Sequence, residues 1–295
     1  MAYDLTSIVD EVKKAFKNDK NYSKVGVGSD LRELTEKDYI KLGPWWVEST
    51  GTYGLPFGRL VCLAGNADSG KTSVAIQGMK AALDQDCGVI YAETENKTTE
   101  KDMLAWGVDP SQVIIVSSTI AEELYELVFK AWDSFKDKYP DVPLLVIVDS
   151  IGNLISMRDE DLDMMEQNSM PGGKGKANRL GLSKMVAKMS RDNTAVLLIS
   201  YVYDNMGSPG KTTAGGQALH LLSSLMYQTS RKGWVERQEK GNKIRVGADV
   251  LFKLQKNHLN KENPGEKEIP FRITKDGIEY VRKVAKPRAE DSDGD

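Results

Sequence analysis

The chain alternates between two hydrophobic rhythms. From Gly58 to about residue 200, short continuous apolar runs are separated by longer segments with helical spacing. The runs predict strands at 59–64, 88–93, 112–116, 143–148 and 194–200. The intervening segments predict helices at 72–84, 98–106, 120–138 and 177–192. Such alternation implies an α/β protein with a mostly parallel sheet covered by helices. After residue 222 the pattern becomes strand-rich, over Ser223–Ser230, Val246–Lys256, Lys267–Thr274 and Gly277–Val284. Lys240-Gly241-Asn242 reads as a hairpin turn between the first two. Ahead of the core, apolar residues Leu5, Ile8, Val9, Val12 and Phe16 have helical spacing. Lys17–Gly28 is polar and linker-like, and 30–42 reads as a second helix with Asp30 as its cap. The implied division is a helical segment over 1–45, a core over 46–284 and a tail over 285–295. No internal repeat is visible.

Composition narrows the class. The chain has 295 residues, 40% of them hydrophobic, enough for a large core. No apolar run reaches spanning length and no signal-peptide pattern opens the chain, so no membrane association is expected and a cytoplasmic setting is. Cys62 and Cys87 sit in apolar runs and read as buried thiols, and the two Cys and two His lack zinc spacing. Net charge is −3, so any nucleic-acid contact must come from local basic patches. The end, Ala289–Asp295, is an acidic tail that reads as solubilising or as a competitor for a basic surface.

The chemistry begins between the first core strand and helix. Gly65-Asn66-Ala67-Asp68-Ser69-Gly70-Lys71-Thr72 has the spacing of a phosphate-binding P-loop, with Ser73 next in the helix. Glycines let successive N–H groups close on a phosphate, and the helix start adds a positive dipole end. Lys71 is expected to reach the β and γ phosphates of ATP, and the Thr72 hydroxyl to hold Mg²⁺. Leu144–Asp149 is an apolar run ending in a carboxylate, suited to the Mg²⁺ shell through water. Glu93 and Glu95 close the second strand, and strand alternation places both on one face. Either can orient or deprotonate water.

These blocks together resemble the RecA recombinase core. The resemblance rests on the P-loop, the strand-end glutamate, Val148-Asp149-Ser150-Ile151-Gly152-Asn153-Leu154, Gly107-Val108-Asp109-Pro110, Thr212–Leu219, and Leu55–Arg59. It covers about 45–275 and is closest in style to phage-type RecA homologues. A phage-encoded protein would work in the cytoplasm of its bacterial host. Glu95, 24 positions after Lys71 and 12 before Gly107, matches the family's catalytic glutamate, with Glu93 as a fallback. The resemblance implies two DNA loops. One lies around Met164–Lys176, with Lys174, Lys176 and the following Arg179. The other runs from Tyr203 to Gly216, with Lys211, Thr212, Thr213, Gly215 and Gly216. It also implies that Lys256 and His258 reach a neighbour's ATP, His258 standing where the family has lysine. Tyr201 takes the place of the family's polar γ-phosphate sensor. Near Asp102 the family's adenine-stacking aromatic is absent, and Met103 is the candidate cover for the base. Trp45 and Trp46 are candidate anchors for the N-terminal segment.

The function so implied is an ATP-dependent recombinase. It would form helical filaments on single-stranded DNA and pair it with a duplex, without sequence preference. The alternatives are a hexameric helicase or other motor on the same core, and an ATP-binding annealing or mediator protein with negligible turnover. A small-molecule kinase is disfavoured because no acceptor site is evident.

Overall fold

The computed structural model describes residues 4–15, 33–160, 173–204, 211–239, 241–263, 265 and 268–281. In chain order the elements are α1 (Leu5–Ala15), β1 (Tyr39–Lys41), α2 (Pro44–Thr50), β2 (Gly54–Pro56), β3 (Leu60–Gly65), α3 (Lys71–Leu83), β4 (Gly88–Glu93), α4 (Glu100–Ala105), β5 (Val113–Val116) and α5 (Ala121–Lys138). They continue as β6 (Leu144–Asp149), α6 (Met157–Glu160), α7 (Gly173–Met189), β7 (Thr194–Asp204), β8 (Lys211–Thr213), α8 (Gly216–Leu222), β9 (Leu225–Glu239), β10 (Asn242–Asn257), β11 (Glu268–Thr274) and β12 (Gly277–Tyr280).

A strand buried on both faces must be apolar at every position, because successive side chains enter opposite layers. In β6, Leu145 and Ile147 join the core under α2, α3 and α4, whereas Leu144, Val146 and Val148 join the core under α5, α7 and α8. The sheet order is β12-β11-β10-β9-β3-β7-β6-β4-β5. The stretch from β9 to β5 is parallel, and β10, β11 and β12 extend it antiparallel. The fold is therefore the α/β architecture that the two rhythms imply. Cys62 and Cys87 are both buried free thiols. Among the described residues, no helix is long and apolar enough to cross a membrane.

Several sequence expectations change. The helix expected over 30–42 is absent from its described part. There Glu36–Asp38 form one 3₁₀ turn, and Tyr39–Lys41 pair antiparallel with Gly54–Pro56. The physical reason is local: the Asp38 carboxylate accepts the Thr35 N–H at 2.7 Å and turns the chain. Consecutive buried Tyr39 and Ile40 then suit a strand better than one helix face. Asp30 and the 17–28 segment lie outside the described residues, as does the acidic tail.

Pro44 opens α2, a helix the hydrophobic pattern did not announce. Its Trp45 packs edge-on against Phe252 and Phe271, and Trp46 against Tyr227. Both tryptophans thereby tie α2 to the strand-rich end of the sheet. The hairpin turn falls where expected, but β9 and β10 run longer, pairing from Leu225↔Asn257 to Glu239↔Asn242. Strand β7 likewise continues past Ser200 to Asp204 and folds back on β8.

Candidate functional site: a phosphate cleft at the strand ends

The carboxyl ends of parallel strands β3, β4, β6 and β7 meet at one edge of the sheet. An open cleft of about 240 Å³ lies there, lined by Ala67–Ser73, Glu95, Lys97, Asp149 and Tyr201. The P-loop forms its floor. At Gly65 a Cβ would fall 2.1 Å from Thr229 Oγ1, so glycine lets the loop lie against β9. Gly70 has φ +84 and caps α3, a backbone that other residues adopt at a cost. Two further ties hold the loop: Ser69 Oγ lies 2.7 Å from Thr229 Oγ1, and Arg231 Nη1 donates to Asp68 Oδ2 at 3.0 Å.

Lys71 opens α3 and is almost fully buried. Its Nζ donates to the Asn66 carbonyl at 2.7 Å and sits 4.6 Å from the centre of the Tyr201 ring. Burial lowers its pKa, and the charges of Asp149, Glu95 and Asp68 oppose that shift. Asp149 ends β6, and its Oδ2 accepts from Thr72 Oγ1 at 2.8 Å and from Tyr91 Oη at 3.3 Å. Burial pushes its pKa up to about 6, and the Thr72 hydrogen bond opposes that rise. The bond from Asp149 to Ser150 is a cis peptide.

A hydroxyl and a carboxylate oxygen side by side make a hard donor pair that suits Mg²⁺. The described residues contain no group of three or more His, Cys, Asp or Glu able to hold a metal. An ion at Thr72 and Asp149 would take its other ligands from water and phosphate, the usual habit of Mg²⁺. The glycine cradle and the buried lysine fit a polyphosphate in the same way.

The two strand-end glutamates do different things. Both were expected on one face, but β4 stops at Glu93 and the chain turns through Asn96, which has φ +52. Glu93 accepts the backbone N–H groups of Glu95, Asn96 and Lys97 at 3.1, 2.6 and 3.2 Å. It shapes the loop and does not line the cleft. Glu95 does line it. Its Oε1 accepts from Tyr201 Oη at 2.5 Å and from Ser150 Oγ at 2.8 Å, and its Oε2 pairs with Lys97 Nζ. Burial works to raise its pKa, but these three donors outweigh burial and hold the carboxyl below its ordinary value.

The other expected residues lie apart from the cleft. Lys256 Nζ donates to the His220 and Leu221 carbonyls, at 2.6 and 3.3 Å, at the carboxyl end of α8. His258 is exposed just beyond β10, its N–H donating to the Ser224 carbonyl at 2.8 Å. Lys176 and Arg179 are exposed on α7, which starts at Gly173, so the loop expected through Lys176 has already become helix. Of the two loops expected to meet DNA, residues 161–172 and 205–210 lie outside the described residues. Lys174 belongs to α7, Lys211, Thr212 and Thr213 form β8, and Gly215 and Gly216 open α8. Met103 is buried against α3 in the core and is not available to cover a base. Ser150, Thr229 and Lys97 were missed. Ser150 stood in a quoted motif without a role, and Lys97 was hidden in a polar stretch that resembles ordinary surface.

Fold and cleft together define an α/β P-loop protein whose candidate catalytic carboxylate stands across from the loop. Residues 8–278 match the RecA N-terminal domain, and the chain belongs to the RecA family. Protein RecA of Chelativorans sp. (strain BNC1) is 30% identical over 282 residues, covering 91% of this chain and 71% of that protein. Protein RecA of Malacoplasma penetrans (strain HF-2) is 26% identical over 223 residues, covering 74% and 63%. The Fusobacterium nucleatum protein is 26% identical over 226 residues, covering 76% and 56%. The chain thus spans less than two thirds of the length of these last two relatives.

Proposed function

We propose that the protein is a DNA-dependent ATPase that acts as a recombinase, assembling on single-stranded DNA and pairing it with duplex. One observation carries the ATPase part: Lys71, Thr72, Asp149 and Glu95 converge on a single cleft from two strand ends and a helix start. In this reading the P-loop N–H groups and Lys71 bind the phosphates. Thr72 and Asp149 hold Mg²⁺, which supplies charge neutralisation at the phosphates when bound. Glu95 orients a water and takes its proton.

The recombinase part rests on family membership and on the chemistry of the remaining residues. Lys256 and His258 lie away from their own cleft and would serve the ATP of an adjacent protomer. ATP would then join subunits into an open helical filament. Lys174, Lys176, Arg179 and Lys211 supply cations for phosphate, and Thr212, Thr213, Gly215 and Gly216 supply hydroxyl and backbone donors. None forms a base-reading array, so recognition would follow the backbone without sequence preference. Phage-type ancestry and a host-cytoplasm setting belong to the same proposal.

The test is ATP turnover with and without single-stranded DNA, combined with negative-stain imaging on DNA plus a non-hydrolysable ATP analogue. The reading expects stimulated turnover, lost in Lys71→Ala and Glu95→Gln, together with open helical filaments. Closed rings would favour a helicase, and DNA binding without turnover an annealing or mediator protein.

A further inference from the structure

Among the described residues two cations line the cleft, and they are held in opposite ways. Lys71 is buried and fixed between the Asn66 carbonyl and the Tyr201 ring. Lys97 has an anchored backbone, its N–H bound by Glu93, but its side chain is 70% exposed and touches Glu95 only through the terminal amine. The Glu95 side chain it meets is only 7% exposed. Lys97 is therefore a flexible point charge on a fixed pivot. It stands at the mouth of a cleft that also holds the carboxylates of Asp68, Glu95 and Asp149.

A triphosphate entering this cleft adds negative charge beside carboxylates that already repel it. Lys256, the cation assigned to a neighbour's nucleotide, is engaged by α8 of its own protomer. Among the described residues that line the cleft, Lys97 is the cation whose side chain is largely exposed, with Glu95 as its partner. We propose that Lys97 is a γ-phosphate ligand supplied in cis, pairing with Glu95 before ATP arrives and bridging Glu95 to the terminal phosphate afterwards.

This inference rests on the ATP reading above. In the transfer, the water oxygen bonds to the γ-phosphorus and the bond from that phosphorus to the ADP oxygen breaks. The water proton passes to Glu95. Lys97 offsets charge on the γ-phosphate oxygens and keeps the Glu95 carboxylate beside the water. Because ADP lacks the γ-phosphate, Lys97 discriminates between ATP and ADP.

The experiment is equilibrium titration of the full chain, in Mg²⁺, with ADP and with the non-hydrolysable imidotriphosphate analogue of ATP. Wild type, Lys97→Met and Lys97→Arg are compared, with a thermal melt of each as a folding check. Lys97→Met is expected to lose about tenfold in affinity for the analogue, a charge-assisted hydrogen bond's worth, with ADP affinity within about twofold. Lys97→Arg is expected to keep most of the analogue affinity. Equal losses for both nucleotides, or no loss for either, would overturn the assignment while leaving ATP binding intact. A wild-type protein that binds neither nucleotide would overturn the ATP reading and this inference with it.

Discussion

Tyr201 Oη donates to Glu95 Oε1 across 2.5 Å, joining residues 106 positions apart in the chain. The same phenol ring lies under Lys71. One side chain within β7 thereby touches both the P-loop lysine and the candidate base.

Tyr201→Phe separates these two roles, since phenylalanine keeps the ring and loses the donor. ATP turnover is expected to fall about tenfold, with nucleotide affinity within about twofold. Loss of the donor lets the Glu95 pKa rise toward its ordinary value. Glu95 works ionised, so the acid limb of the rate profile should move to higher pH. Steady-state rates between pH 5 and pH 8 check this, and an unchanged limb with unchanged turnover would count against the contact.

Asp149 carries the clearest pH signature. The folded state holds its proton up to about pH 6, whereas an ordinary aspartate releases it near 3.8. Between those values the folded state binds more protons, so this group's contribution to stability falls as pH rises through the window and stays unfavourable above it. Asp149→Asn should therefore raise the melting temperature of the nucleotide-free protein at pH 7.5 by about 3 °C, with a smaller gain at pH 5. The same variant should lose Mg²⁺-dependent nucleotide binding. Calorimetry at both pH values checks the sign, and a lower melting temperature at pH 7.5 refutes it.

Thr229→Val tests the tie between the P-loop and β9. It removes the hydroxyl that meets Ser69, while Ser69 keeps its bond to the Asn66 carbonyl at 2.7 Å. A stability loss of about 1 kcal/mol is expected, with nucleotide affinity down about threefold as the loop loosens. Urea unfolding and nucleotide titration measure the two effects.

His258→Lys addresses the position proposed to face a neighbour. Lysine carries a compact point charge on a flexible stem. The variant is expected to show the higher DNA-stimulated turnover in steady-state assays. A variant no faster than wild type removes His258 from the proposed interface site.

Much of this was legible from the sequence for physical reasons that can be named. The P-loop and Asp149 are local signals, in which one strand end and one helix start dictate the chemistry. Glu95 was separable from Glu93 only by family spacing, because alternation gave both the same face. The turn through Asn96, which alternation cannot see, assigns them different tasks. The strand at Tyr39–Lys41 and the helix at Pro44–Thr50 were missed because they are short and depend on packing against β2, Phe252 and Phe271. The Tyr201, Thr229 and Arg231 contacts all join distant positions, and no window of sequence contains both partners.

The sheet register has an evolutionary corollary. Gly65 pairs with Tyr201, and Glu93 with Asp149, so the rim that carries the candidate site is a cross-section through adjacent strands. Slipping any one of these strands by a single residue would turn its contribution to the opposite layer. Insertions and deletions are thus confined to connections that leave this cross-section undisturbed, whereas the amino ends of the same strands can accept change in their turns. Divergence among relatives should accumulate at one rim of the sheet and be scarce at the other.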